Sequence, residues 1–237
     1  MRIIPAIDII EGKCVRLQEG DYTRKKVYEA HPVEVARLWE DTGGEYLHVV
    51  DLDGAKAGKL VNYPIIEEIC AATRLKVDVG GGIKSDNDLN KAFDSGAVQV
   101  NIGSLAVTNR DLFTSWIIRF GGEKILLSAD VWQGYVAISG WQTITGWRLK
   151  EFISEYLKAG ITTVVCTDIS KDGMMAGPSF DLYEELMTSF PDIKLVASGG
   201  VTSVEEVAKL ATMGIDGVII GKAIYEGKIK LEDLVHK

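Results

Sequence analysis

The sequence predicts an α/β chain closed into a (βα)8 TIM barrel, built from two similar (βα)4 half-barrels. Three observations carry this. Eight short apolar, β-branched runs alternate with amphipathic segments of helical period. The runs are apolar on successive residues, as strands covered on both faces must be. The second half of the chain also echoes the first. "VGGGIKS" (79–85) returns as "ASGGVTS" (197–203), and "GAVQVNIGS" (96–104) as "GIDGVIIGK" (214–222), each 118 residues on. "AIDIIEGKCV" (6–15) returns as "SADVWQGYVA" (128–137), 122 residues on. Four units answering four others close a barrel of approximate twofold symmetry. A doubly wound open sheet, the other arrangement of alternating units, gives no reason for the repeat.

In chain order the strands are "RIIPAID" (2–8), "YLHVVDLD" (46–53), "LKVDVGGG" (75–82), "VQVNIGS" (98–104), "KILLSAD" (124–130), "TTVVCTD" (162–168), "IKLVASGG" (193–200) and "DGVIIGK" (216–222). Amphipathic segments such as "PVEVARLWEDTG" and "GWRLKEFISEYLKAG" supply helices between them. Ser85 to Asp88 and Ser203 to Glu206 read as capping boxes or near relatives that start two helices. No linker, low-complexity tract or charge run divides the chain. A single domain over 1–237 is expected, with halves of about 1–122 and 123–237.

Composition narrows the function. The hydrophobic fraction of 46% and charged fraction of 25% are those of an ordinary globular chain. A net charge of −8 argues against nucleic acid or an anionic membrane as partner, so any anionic ligand must be held by local dipoles. Cys14, Cys70 and Cys166 are odd in number and widely spaced, which suits a reducing cytoplasm. They share no metal-ligand spacing with His31, His48 and His236, so no metal is expected. The N-terminal "MRIIPAIDII" is too short and too interrupted for a signal peptide or a membrane span. A cytoplasmic protein is expected.

Active sites of such barrels lie at the C-terminal ends of the strands. Gly80, Gly81 and Gly82 stand there after the third strand, and Gly103 and Ser104 after the fourth. A bare loop running into a helix presents free N–H groups and a positive dipole end, which together bind phosphate. The repeat sets a second cradle after the seventh and eighth strands: Ser198, Gly199, Gly200, Gly221 and Lys222. The two lie half a barrel turn apart, so an elongated ligand with a phosphate at each end would span them. Tight turns and close helix packing explain a single Gly-Gly-Gly equally well; two paired loops in register favour phosphate.

Asp8 ends the first strand and Asp130 the fifth, equivalent under the repeat and facing each other across the pocket. One such acid reads equally as a loop cap. Two of them between two cradles point to a general base and a general acid. An ordinary Asp, with a pKa near 3.9, is protonated in only about one molecule in a thousand at pH 7, so the acid must be raised by burial or a nearby anion. Thr167 could hydrogen-bond a substrate hydroxyl or merely local backbone. Asp51 holds a related place on the second strand, and His48 reads first as a satisfied core histidine. Arg16 and Trp141 follow the two acid-bearing strands and could clamp a carboxamide, stack on a heterocycle, or pack a loop. No G-x-G-x-x-G follows the first strand and no G-x-x-x-x-G-K-[ST] occurs, so no cofactor is implied. Acid–base chemistry on a bisphosphorylated small molecule remains, and isomerisation of a sugar phosphate fits it.

"IIPAIDIIEGKCVRLQEGDY", "HVVDLDGA", "VGGGIKS", "NIGS", "SGW", "TDISKDG" and "ASGGV" together resemble the ProFAR isomerase family of histidine biosynthesis, over nearly the whole chain. The resemblance implies a half-barrel-repeat (βα)8 aldose–ketose isomerase. Such an enzyme carries out an Amadori rearrangement of a substrate with two phosphates. It implies Asp8 as the base at the second ribose carbon, Asp130 as the acid at the ring oxygen, and Thr167 in support of the ribose. Asp172 falls on a loop closing over substrate, and Leu17 to Tyr28 on a mobile first loop that excludes water.

Three residues depart from the family pattern: Lys84 stands where Arg is common, and Trp132 and Gln133 replace "ARDG"-like residues. The sister cyclase is the nearest rival, but it begins "CLDV" where this chain has "AIDI" and carries a lysine where Arg16 stands. Dual activity on phosphoribosylanthranilate would call for arginines after the fifth strand, and none precedes Arg148. A non-catalytic phospholigand barrel would not need both acids. A Schiff-base enzyme would need an interior lysine, for which Lys222 is the candidate. A monomer is expected, since twin halves close the barrel within one chain.

Overall fold

A computed structural model describes residues 1–18, 21–28 and 30–235. Part of the segment expected to form the first loop, and His236, lie outside them.

The strands are β1 (Arg2–Ile10), β2 (Lys13–Gln18), β3 (Asp21–Val27), β4 (Tyr46–Asp51), β5 (Lys76–Gly80), β6 (Gln99–Ile102), β7 (Ile125–Trp132), β8 (Tyr135–Ile138), β9 (Thr143–Arg148), β10 (Thr163–Asp168), β11 (Lys194–Ser198) and β12 (Gly217–Ile220). The helices are α1 (Pro32–Asp41), α2 (Leu52–Ala57), α3 (Tyr63–Ala72), α4 (Asp86–Asp94), α5 (Ser104–Thr108), α6 (Arg110–Phe120), α7 (Leu149–Lys158), α8 (Phe180–Ser189), α9 (Val204–Thr212), α10 (Lys222–Tyr225) and α11 (Glu232–Val235). Eight parallel strands run β10-β11-β12-β1-β4-β5-β6-β7, and β7 pairs back to β10. The sheet is therefore closed, and all eight expected strands are in it.

Two antiparallel additions are not foreseen in the sequence. β2 and β3 prolong β1, and β8 and β9 prolong β7. The segment expected as a first loop is thus largely a hairpin. Its Tyr, Thr and Val residues favour extended backbone, and β1 offers its free edge beyond the barrel. For the same reason Asp8 and Asp130 do not end their strands. β1 runs on to Ile10 and β7 to Trp132.

The core has two parts. The larger lies between sheet and helices, with Trp116, Tyr156, Tyr183 and Phe113 among its fully buried side chains. The smaller fills the barrel: Ile4, Ala6, Leu126, Val165, Val196 and Ile219. Helix starts follow their caps. Ser203 and Glu206 form a reciprocal capping box. Ser85 accepts from the Asp88 amide, but Asp88 turns its carboxylate to the Leu60 amide at 3.1 Å and the Ser85 hydroxyl at 2.6 Å, so the box is one-sided. His31 caps α1 with Glu34.

The repeat is written in the backbone. Gly103 (φ −109, ψ −80) and Gly221 (φ −113, ψ −89) share a conformation, as do Ser85 and Ser203 (φ −142 and −144). Glu11 and Gln133 both turn with φ 51.

Candidate active site

One cavity opens at the C-terminal ends of the parallel strands. Asp8, Arg16, His48, Gly81, Gly82, Gly103, Ser104, Asp130, Trp141, Thr167, Asp172, Ser198, Gly199, Gly200, Gly221 and Lys222 all line it. Asp51 does not. Its carboxylate is buried and accepts from the amides of Gly54 (2.8 Å), Val61 (2.6 Å) and Asn62 (2.8 Å) and from the Asn62 side chain (2.6 Å). With both oxygens so engaged, Asp51 organises the loop after β4 and caps α2. The structure thus sets Asp51 apart from the other expected ligand contacts, which line the cavity.

Each of the two acids is held by the strand extension beyond it. Arg16, on β2, donates from Nη1 to Asp8 at 2.8 Å and from Nη2 to the Ala6 carbonyl at 2.8 Å. Trp141, on the turn before β9, donates from its indole to Asp130 at 2.8 Å. Ser139 and Trp141 sit at φ 58 and 69, a left-handed conformation that turns the indole inward. Thr167 is the neighbour of Asp130 across the β7–β10 pairing, as Val50 is of Asp8 across β1–β4. Burial pushes the Asp130 carboxyl above its ordinary value, against hydrogen bonds from Trp141, Thr167 and Ser128.

Asp172, on the loop after β10, is raised to about 6 by burial; Asp8 and Asp130 add to the rise, while Arg16 and Lys222 oppose it. Lys222 donates to the Gly173 carbonyl at 2.7 Å. Its ammonium is therefore at the mouth on the Asp172 loop, not in the barrel interior where a Schiff-base lysine would stand.

His48 is buried, with Nδ1 at 2.5 Å from Asp78 Oδ1. Burial pulls its pKa down, and the Asp78 charge overrides that to leave it raised. Asp78 is a residue the sequence reading missed. A carboxylate inside the apolar run "LKVDVGGG" was the available signal. Asn101 was missed in the same way in "VQVNIGS".

The glycines are required first by neighbouring backbone. A Cβ on Gly81 (φ +88) would meet the Asp51 carbonyl at 2.3 Å, and one on Gly82 (φ +77) the Lys59 carbonyl at 2.6 Å. Gly200 (φ +84) lies equally close to the Gly177 carbonyl, at 2.3 Å. What comes near the Gly81 and Gly82 backbone is thus the end of β4 and the segment after it, while Gly80 faces Asn101. Beyond them, α5 and α10 begin at Gly103 and Gly221 with no capping side chain, unlike α4 and α9. Their first amides are open to an acceptor from the cavity. Ser104 Oγ accepts from the Ser139 amide at 3.0 Å, joining the first cradle to the Trp141 turn. Lys84 also lines the cavity, whereas Trp132 is exposed away from it.

Among the described residues no cluster of three or more His, Cys, Asp or Glu could hold a metal ion. No helix among them is long and apolar enough to cross a membrane.

Barrel and mouth together define a class: closed (βα)8 proteins whose cavity gathers carboxylates between paired glycine loops. The chain belongs to the histidine biosynthesis protein family, whose model matches residues 2–230. It is 56% identical over 234 residues, 99% of this chain and 98% of the relative, to a protein of Flavobacterium johnsoniae. That relative is named 1-(5-phosphoribosyl)-5-((5-phosphoribosylamino)methylideneamino)imidazole-4-carboxamide isomerase. Proteins of the same name from Parabacteroides distasonis and Flavobacterium psychrophilum are 54% and 55% identical, each over 99% of this chain and 98% and 97% of their own lengths.

Proposed function

We propose that this chain is the isomerase its relatives are named for, converting the phosphoribosylamino aldose to its phosphoribulosyl ketose by an Amadori rearrangement. The observation that carries the reading is the placement of Asp8 and Asp130 at matching registers on β1 and β7, within one cavity flanked by two uncapped helix starts. A ligand with a phosphate at each end suits that symmetry. Each phosphate would take open amides of α5 or α10, with charge-assisted hydrogen bonds of roughly 1.5–3 kcal/mol each.

In this reading a raised carboxyl gives its proton to the ribose ring oxygen. The ring C–O bond breaks toward that oxygen, and the exocyclic nitrogen lone pair forms C=N. Asp8 then takes the proton from the second carbon, giving an enolamine; protonation of the first carbon and loss of the proton from the second carbon's hydroxyl give the ketose. Arg16 aims Asp8 through its 2.8 Å hydrogen bond. Asp130 is the acid because burial raises its carboxyl in spite of the Trp141, Thr167 and Ser128 hydrogen bonds. A second assignment has one observation in its favour: Asp172, at about 6, holds a proton nearer neutrality and faces the same cavity. Comparing Asp130→Asn with Asp172→Asn decides between them, since only loss of the true acid removes the alkaline limb of the pH–rate profile.

The relatives' name favours the isomerase over the sister cyclase. The stretch from β7 to α7 sends Trp141 to Asp130, while Arg148 lies over the Tyr135 ring at 5.0 Å. With no arginine turned inward there, we read the enzyme as specific for the one substrate. Three free cysteines, two of them buried, accord with a cytoplasmic location, and closure of the barrel within one chain with a monomer. The test is spectroscopic turnover of the aldose by purified protein, with phosphoribosylanthranilate as a second substrate. Turnover of the first alone supports the reading, and tight binding without turnover would reduce the chain to a phospholigand barrel.

A further inference from the structure

A ligand with a phosphate at each end, facing two matching cradles, can enter two ways round. Only residues that differ between the halves can tell its arms apart. Strand registers identify those residues. Ala6 pairs His48 and His48 pairs Asp78, as Ser128 pairs Val165 and Val165 pairs Val196. Gly80 pairs Asn101 as Ser198 pairs Ile219. So His48, Asp78 and Asn101 stand where the other half has Val165, Val196 and Ile219.

The three apolar residues belong to the buried cluster inside the barrel. The polar three make a different floor. His48 and Asp78 satisfy each other at 2.5 Å. Asn101 Oδ1 is buried, lines the cavity wall with its residue, and has no donor in reach. A buried acceptor left without a partner is costly, so the site is built for a donor that arrives with the ligand. Arg16, Trp141 and Lys222, which replaces Ser104, also differ between the halves, but the first two are bonded to their acids and Lys222 to the Gly173 carbonyl. Arg16 Nε also lacks a partner, but as a donor it does not compete with Asn101 Oδ1 for a donor on the ligand.

We propose that Asn101, backed by the His48–Asp78 pair, sets the direction in which the two-armed ligand lies, by accepting a hydrogen bond from a hydroxyl or amide N–H of one arm. The inference rests on the bisphosphate reading above. A reversed ligand would lay that donor on Val165 and Ile219 and leave Asn101 Oδ1 unpaired. Correct direction brings the second ribose carbon to Asp8 rather than to Asp130, so Asn101 is a specificity-determining residue of the same reaction.

The probe is the ketose product, bound to the full chain and followed by 31P NMR, beside steady-state kinetics. Wild type should show one pair of bound phosphate resonances. Asn101→Leu should show two pairs, one for each direction, and a kcat/KM about tenfold lower. Asn101→Ser, which keeps an oxygen acceptor in a smaller side chain, should restore part of both and covers the case in which the leucine variant fails to fold. The double variant His48→Val with Asp78→Val, which copies the other half, should also give two pairs. A single pair and kcat/KM within twofold of wild type in Asn101→Leu, or in both Asn101→Ser and the double variant, would overturn the inference and leave the isomerase intact. A wild-type protein that neither binds the product nor turns over the aldose would instead overturn the isomerase reading.

Discussion

Arg16 lies so close over Gly221 that a Cβ there would stand 1.7 Å from its Nη2. The same guanidinium holds Asp8 at 2.8 Å. The cradle glycine and the candidate base are therefore coupled through one side chain. Gly221→Ala should drive Arg16 off Asp8 and lower kcat at least tenfold while the barrel stays folded. A kcat within twofold of wild type, measured at saturating aldose, would show that Asp8 does not depend on Arg16.

Gly81 and Gly134 separate two reasons for glycine. Both have positive φ, +88 and +83, but Gly81 faces the Asp51 carbonyl at 2.3 Å and Gly134 faces nothing within 4 Å. Gly134→Ala should cost only the left-handed penalty, about 1–2 kcal/mol. Gly81→Ala adds displacement of the loop after β4, so its urea midpoint should fall clearly further. Equal losses would refute the packing explanation.

Asp172 makes stability pH-dependent. Its folded value of about 6 lies above the ordinary 3.8, so the native chain binds the extra proton between those values. Stability due to this group therefore falls as pH rises from about 4 to about 6, and is level above. The burden at pH 7 is about 2–3 kcal/mol. Asp172→Asn should raise the melting temperature at pH 7 and change it little near pH 4. The reverse pattern would contradict the burial assigned to Asp172.

His48 gives the same sign of dependence over a higher pH range. Asp78 raises its pKa against the pull of burial, so the pair's contribution is complete below the unfolded value near 6.5 and is lost as pH rises through the folded value. In Asp78→Asn the His48 ring protons should titrate at lower pH by NMR. An unchanged titration would mean that Asp78 is not what holds the proton.

The eight barrel strands are legible in the sequence because both their faces are covered, which leaves runs such as "KILLSAD" apolar on successive residues at Ile125 to Leu127. The strand extensions β2–β3 and β8–β9 are not. "DYTRKKV" is mostly exposed and its pairing is set by the edge of β1, a tertiary fact. Asp172, on the loop past β10, is drawn out only by the family resemblance, whereas the acids and the glycines stand out as residues an apolar strand end does not need. Asp51 stands out by the same logic, yet its oxygens go to the backbone of a loop that folds back ten residues later. Local sequence does not separate those two uses of a strand-end carboxylate. Asn101 and Asp78 are hidden because a polar residue in mid-strand draws meaning only from its surroundings in the barrel: β4 with His48 beside Asp78, and the apolar half opposite for both.

The most direct measurement is turnover of the aldose by Asp8→Asn beside wild type, with product binding measured on both. The account predicts binding within a fewfold of wild type and a kcat reduced by at least about a thousandfold, within the range of a lost general base. Turnover near the wild-type rate in Asp8→Asn would contradict the assignment of Asp8 as base, and with it the acid–base pair across the cavity.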